Sequence, residues 1–222
     1  MKYIYSNDEV FSNDLDINDM CRMIELNKSC FPLPEMDAFF DNWKKALCQQ
    51  YTAEINKTRS LIGRRIFRES LFISENAGTN EMRFHFDIDR AISLSRSKES
   101  QAIDLKHISD HFSNPLLHTI KFTQPNTTDN PYDYCQCEAP VILVIFCHKG
   151  FDYLVIDGNH RIDARKRNAI DTINAILLTP EETISILQSN FEIAAYLFLY
   201  EGYLLSKGDF SIIPYSNSRL YY

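Results

Sequence analysis

The run FDYLVIDGNHRIDARKRNAI sets an acid, a glycine, an asparagine, a histidine and an arginine side by side at positions 157–161. An arginine fork can grip two phosphate oxygens, and a histidine can give or take a proton near neutral pH. Asp157 can orient the arginine, act as a base or hold a metal; it can equally form a plain Asx turn. Gly158 lets the backbone approach a ligand closely. The candidate site is therefore Asp157 and His160 for catalysis, with Gly158, Asn159, His160, Arg161 and Arg165 for phosphate. The bland alternatives are a structural hydrogen bond for His160 and a solvated helix face for the basic residues.

These residues need a particular setting. Phe151 to Ile156 is an apolar run that reads as a buried strand, and Asn159 to Ala169 reads as a short helix, with Asn159 as its cap and Ile162 and Ala169 inward. A strand that ends in a glycine turn and opens a helix offers free backbone N–H groups and the positive end of the helix dipole, which suits an anion. Arg161, Arg165, Lys166 and Arg167 against Asp163 make this segment basic within an acidic chain.

Other constellations are weaker. Lys57, Arg59, Arg64, Arg65 and Arg68 form a second basic cluster, either a solvated face or a supplementary phosphate or nucleic-acid surface. Cys135, Cys137, Cys147 and His148 lack the spacing of structural zinc sites, so no metal ligand is assigned. His85, Asp87 and Asp89 alternate on one face of a strand and could gather a divalent ion, but such residues more often form the wet face of a sheet. His107 and His111 stand four apart without the glutamate of a metalloprotease motif.

Around the candidate turn, Val141 to Cys147 is continuously apolar, as a strand buried on both faces would be, and Thr172 to Leu178 reads as a third strand. Met82 to Ile88 alternates as a half-buried strand, and the residues from Ile103 suggest a short helix or turn. His118 to Phe122 is a weak strand and residues 124–140 a loop. In the first third, Phe40, Trp43, Leu47, Tyr51 and Ile55 recur at helical spacing, which predicts a helix from Met36 to about Arg68 after a shorter one near residues 17–27. Thr179 with Glu182 and Ser189 with Glu192 fit the capping-box spacing and start two C-terminal helices, the second running from Phe191 to about Leu205.

VIDGNHRIDARKRNAIDTINAILL, preceded by APVILVI, resembles the core of the ParB/sulfiredoxin-like superfamily, whose members bind nucleotide phosphates at a strand–turn–helix of this kind. The match is strongest over residues 139–178. The resemblance implies an α+β fold built on a small mixed sheet of ParB/sulfiredoxin type, with N-terminal and C-terminal helical additions. The expected divisions are a helical segment over 1–80, the core over 81–180, and C-terminal helices and tail over 181–222 packed on that core. Asn159 stands where sulfiredoxins carry their nucleophilic cysteine, which argues against reductase chemistry. Asp163 replaces a further arginine of the ParB partition proteins, which weakens a triphosphate clamp of their type. Free serine kinases of the superfamily share the Asp-Gly-x-x-Arg turn, which keeps phosphotransfer open.

The function expected is binding of a nucleotide or phosphorylated small molecule, with hydrolysis or phosphoryl transfer as the associated chemistry. The ligand would be a nucleoside diphosphate or triphosphate, with Mg2+ accompanying a triphosphate. The alternatives are a DNA-associated ParB-like nuclease or plasmid or phage regulator, and a non-catalytic interaction protein. Net charge of -7 over 222 residues speaks against a nucleic-acid coat. No stretch has the roughly 20 apolar residues of a membrane span. No secretory leader is evident, so the cytoplasm is the expected compartment, and the six cysteines read as reduced thiols.

Overall fold

The computed structural model describes residues 18, 21, 22, 24, 25, 28, 34–54, 65–72, 81–109, 137–148, 151–209 and 211. They fall into two compact units, one over Phe86–Ile186 and the other combining residues before Phe86 with those from Leu187 on. The fold is α+β, and its main sheet is small and mixed.

The first unit is built on five strands: β3 (Gln101–Asp104), β4 (Ile108–Ser109), β5 (Val141–His148), β6 (Phe151–Asp157) and β7 (Thr172–Leu178). Their order across the sheet is β3-β7-β5-β6-β4. β5 pairs antiparallel with β6 and parallel with β7, while β3 runs antiparallel to β7 and β4 parallel to β6. The most apolar strand, β5, thus lies at the centre, where both of its faces are covered. On one face Val141, Leu143, Val155, Ile173 and Ala175 pack with Leu105, Ile108 and Ile162, the last from the helix that follows β6. Side chains alternate along a strand, so Ile142, Val144 and Phe146 turn to the opposite face, where the Phe146 ring meets Phe86 edge-on at 6.4 Å. Helices Ile88–Ser95 and Pro180–Ile186 pack against β5 in this unit.

In the second unit, the helix Pro34–Glu54 is α1, and the helix Asn190–Ser206 packs against it. Numbered along the chain, the helices are α1, α2 (Ile88–Ser95), α3 (Asn159–Arg167), α4 (Pro180–Ile186) and α5 (Asn190–Ser206). Phe40, Trp43, Leu47 and Tyr51 form the buried stripe of α1. Trp43 and Phe40 meet Phe198 edge-on, and Tyr51 meets Phe191. α5 is apolar on nearly every side and is buried accordingly. Two acids are buried with it. Glu201 accepts the Trp43 indole N–H at 2.7 Å. Glu192 faces His85 Nδ1 at 3.0 Å and also accepts the backbone N–H groups of His85 and Gln188. Two strands, β1 (Ile66–Phe72) and β2 (Glu81–Asp87), pair in a separate small sheet.

Several expectations need correction. The helix over the first third is described over Pro34–Glu54, and Ile66–Phe72, whose first residues were expected to continue it, is a strand. Its spacing alone does not separate the two, since Phe67 and Leu71 stand four apart as in a helix, while the β-branched and aromatic Ile66, Phe67 and Phe72 favour a strand. The segment from Ile103, expected as a short helix or turn, holds a single 3-10 turn (Leu105–His107), set between the end of β3 and the short strand β4. His85 is buried instead of lying on a wet face, because Glu192 supplies it with a partner. Asp87 ends β2 and caps α2, accepting from the Arg90 N–H at 3.0 Å, and Asp89 lies exposed in that helix. The weak strand at 118–122, the loop over 124–136 and the aromatic tail after Ser211 lie outside the described residues.

Candidate functional site

β6 delivers Asp157 beside the start of β5, since Asp157 and Ile142 are paired across the two strands. The chain then turns at Gly158, with φ of 102°, in the left-handed region that favours glycine. A Cβ at this position would fall 2.5 Å from Val141 Cγ1 and 2.8 Å from Arg161 Nη2. Gly158 is therefore required twice over, by its backbone and by close packing. It is also the N-cap of α3, so Asn159, expected as the cap, is instead the first helical residue.

No side chain caps α3. Among the described residues the other helix starts with defined caps differ from it. Asp87 caps α2, Thr179 and Glu182 exchange backbone N–H bonds at the start of α4, and Ser189 accepts from the Glu192 N–H at the start of α5. The Gly158 carbonyl accepts the N–H groups of Arg161 and Ile162 at 2.9 and 3.2 Å.

Arg161 is half-buried and tied to three groups. Its Nη1 donates to the carbonyls of Ala139 and, at 2.7 Å, Pro140, and its Nη2 donates to Asp157 Oδ2 at 3.1 Å. Three of the five guanidinium hydrogens are thus used to fasten the turn to the residues that lead into β5. Asp157 does orient Arg161, yet the fork expected to grip phosphate is in large part occupied by the protein itself. The sequence carried no signal for Ala139 and Pro140, because their contribution is made through backbone carbonyls.

His160 sits half-buried in the first turn of α3, beside Asn159. Arg165, Lys166 and Arg167 belong to the last turn, where cations offset the negative end of the helix dipole. Arg165 follows Arg161 by four residues, about 6 Å further along the axis. Arg167 pairs with Asp163 at 2.9 Å on the surface. The structure thus gathers Asp157, Gly158, Asn159, His160 and Arg161 at one end of α3 and places Arg165 toward the other. Ile162 is buried as expected, but Ala169 is exposed.

A second pairing was not legible: His107 Nδ1 lies 3.0 Å from Asp152 Oδ2, on β6. Its expected neighbour His111 lies outside the described residues, as do Lys57, Arg59 and Arg64 of the second basic cluster and Cys135 of the cysteine group. Among the described residues no group of three or more His, Cys, Asp or Glu is arranged to hold a metal ion, and no helix is long and apolar enough to cross a membrane. No family model, curated protein or solved structure matches the chain.

Proposed function

We propose that the chain binds a nucleotide or phosphorylated small molecule at the turn from Asp157 to Arg161, in the manner of the ParB/sulfiredoxin-like superfamily it resembles. The observation that carries this reading is the left-handed Gly158 at the head of α3, a helix start without a side-chain cap at the end of a sheet strand. Backbone N–H groups and the helix dipole at such a start favour an anion. In this reading the amides of the turn and Arg161 bear on phosphate oxygens. His160 donates to the transferring or leaving oxygen, and Asp157 fixes the Arg161 fork. A nucleoside triphosphate would bring Mg2+ with it.

A second reading, a non-catalytic interaction protein, is favoured by one specific observation. Asp157, Gly158 and Arg161 all have structural duties in the turn, which account for them without a ligand. Thermal shift separates the two readings. ATP, ADP, GTP and pyrophosphate, each with and without Mg2+, are compared on wild type, His160→Ala and Arg165→Ala. A ligand at 100 times its Kd stabilises by about 2.7 kcal/mol. The proposal expects such stabilisation in wild type, reduced by His160→Ala. Millimolar ligands that leave the melting temperature of the folded wild type unmoved would support the interaction protein instead.

A further inference from the structure

Cys21 and Cys48, both half-buried, have their sulfurs 3.7 Å apart. Neighbouring contacts explain why they meet. Lys28 pairs with Asp37 at 3.0 Å and lies 4.0 Å from Asp41, and Glu25 pairs with Lys44 at 2.9 Å. Stepping back from Lys28 to Glu25 to Cys21 matches stepping forward from Asp41 to Lys44 to Cys48. Spacings of three and four on both sides are those of two helical faces in antiparallel register. The ladder ends in the two thiols, and Ile24, one turn on from Cys21, is buried.

We propose that Cys21 and Cys48 are a reversible disulfide site that, when oxidised, locks the helical residues around Cys21 onto α1. A disulfide needs an S–S distance near 2.05 Å and Cβ atoms roughly 3.5–4.5 Å apart. Two sulfurs already in contact reach it through side-chain rotation and a small approach of the helices.

The oxidant is a low-molecular-weight disulfide. The Cys21 thiolate attacks one of its sulfurs, breaking the external S–S bond and releasing one thiol. The Cys48 thiolate then attacks Cys21 in the mixed disulfide, forming the internal bond and releasing the second thiol. The two protein sulfurs lose two electrons, the external disulfide gains them, and both protons leave on the released thiols. Burial, first, and the hydrogen bond with Cys21 push the Cys48 thiol up to about 11, against a smaller opposing effect of the Lys44 ammonium. The Cys48 thiolate is therefore scarce at neutral pH and grows as pH rises.

The test uses the full chain equilibrated across ratios of reduced to oxidised glutathione, followed by acid quench, alkylation and non-reducing peptide mapping. The expected product is an intramolecular Cys21–Cys48 peptide, with two of the six thiols lost, a higher melting temperature, and full reversal by dithiothreitol. Cys48→Ser should abolish the link and leave Cys21 carrying glutathione. Link formation should accelerate from pH 7 to pH 9. Cys21 and Cys48 both remaining alkylatable while other cysteines oxidise would overturn the proposal. So would a Cys21 link to any other cysteine as the main product.

Discussion

Arg161 Nη2 donates to Asp157 Oδ2 at 3.1 Å, and the same guanidinium reaches the Ala139 and Pro140 carbonyls through Nη1. This pair joins the end of β6, the first turn of α3 and the approach to β5. Removing the arginine leaves an acid and two carbonyls short of a donor. Arg161→Ala should therefore lower stability by about 2–3 kcal/mol, with Arg161→Lys recovering part of the loss through a single ammonium that cannot span all three acceptors. Denaturant midpoints at unchanged slope measure this. A loss below about 0.5 kcal/mol would show that the contacts do not hold the turn.

Gly158→Ala adds a Cβ in a left-handed conformation and against Val141. The two effects together should cost about 2–4 kcal/mol. Combined with Val141→Ala, which removes the clashing methyl, the cost should be less than the sum of the single changes. Strict additivity in chemical denaturation would contradict the packing half of this account.

The far end of α3 offers the converse change. Ala169 has φ of 53°, and the Ala169 and Ile170 N–H groups bond to the Lys166 and Arg165 carbonyls, the pattern of a Schellman cap. α5 closes in the same way through Gly208, whose φ is 83°. Ala169→Gly should stabilise by about 1 kcal/mol, since Ala169 is exposed and loses no packing. A fall in melting temperature would contradict this.

Burial alone would raise the Glu182 carboxyl, but Lys98, 2.7 Å away, and the Thr179 N–H outweigh it and hold the group below the usual carboxylate range. A carboxyl lowered on folding stabilises the native state above its unfolded value, and that contribution fades as pH falls through the folded value. Wild type should therefore lose its stability margin over Glu182→Gln as pH drops below about 4.5. Thermal unfolding across pH 3–7 reads the effect, and a margin independent of pH would count against the ion pair.

Within the second unit, Glu192 accepts from two backbone N–H groups while facing His85. Glu192→Ala should cost about 3–5 kcal/mol, as expected for breaking a buried polar cluster on one side. Urea denaturation checks this, and a cost within that of a surface substitution would exclude a structural role for the cluster.

Much of the frame around the turn was legible in the sequence. The continuous apolar run of β5 has the signature of a strand buried on both faces, β6 and β7 form where strands were read, and the Thr179–Glu182 capping box forms as spaced. Ser189 and Glu192 were only half legible. Ser189 caps α5, but the Glu192 carboxylate turns to His85 and Gln188, a partnership more than 100 residues apart in the case of His85. The same reason hides the Arg161 contacts with Ala139 and Pro140. Local spacing reports capping and periodicity, while these bonds depend on which strands become neighbours. The helix at 36–68 was over-extended because the stripe from Phe40 to Ile55 is followed by no proline or glycine before Gly63.

The most direct test of the phosphate-binding turn is a backbone amide NMR titration of wild-type protein with Mg-ATP and, separately, with inorganic pyrophosphate. The account predicts saturable shifts centred on the amides of Gly158, Asn159, His160 and Arg161, with smaller changes along α3. Saturation with those four amides unmoved, or no saturable shift at millimolar ligand, would contradict it.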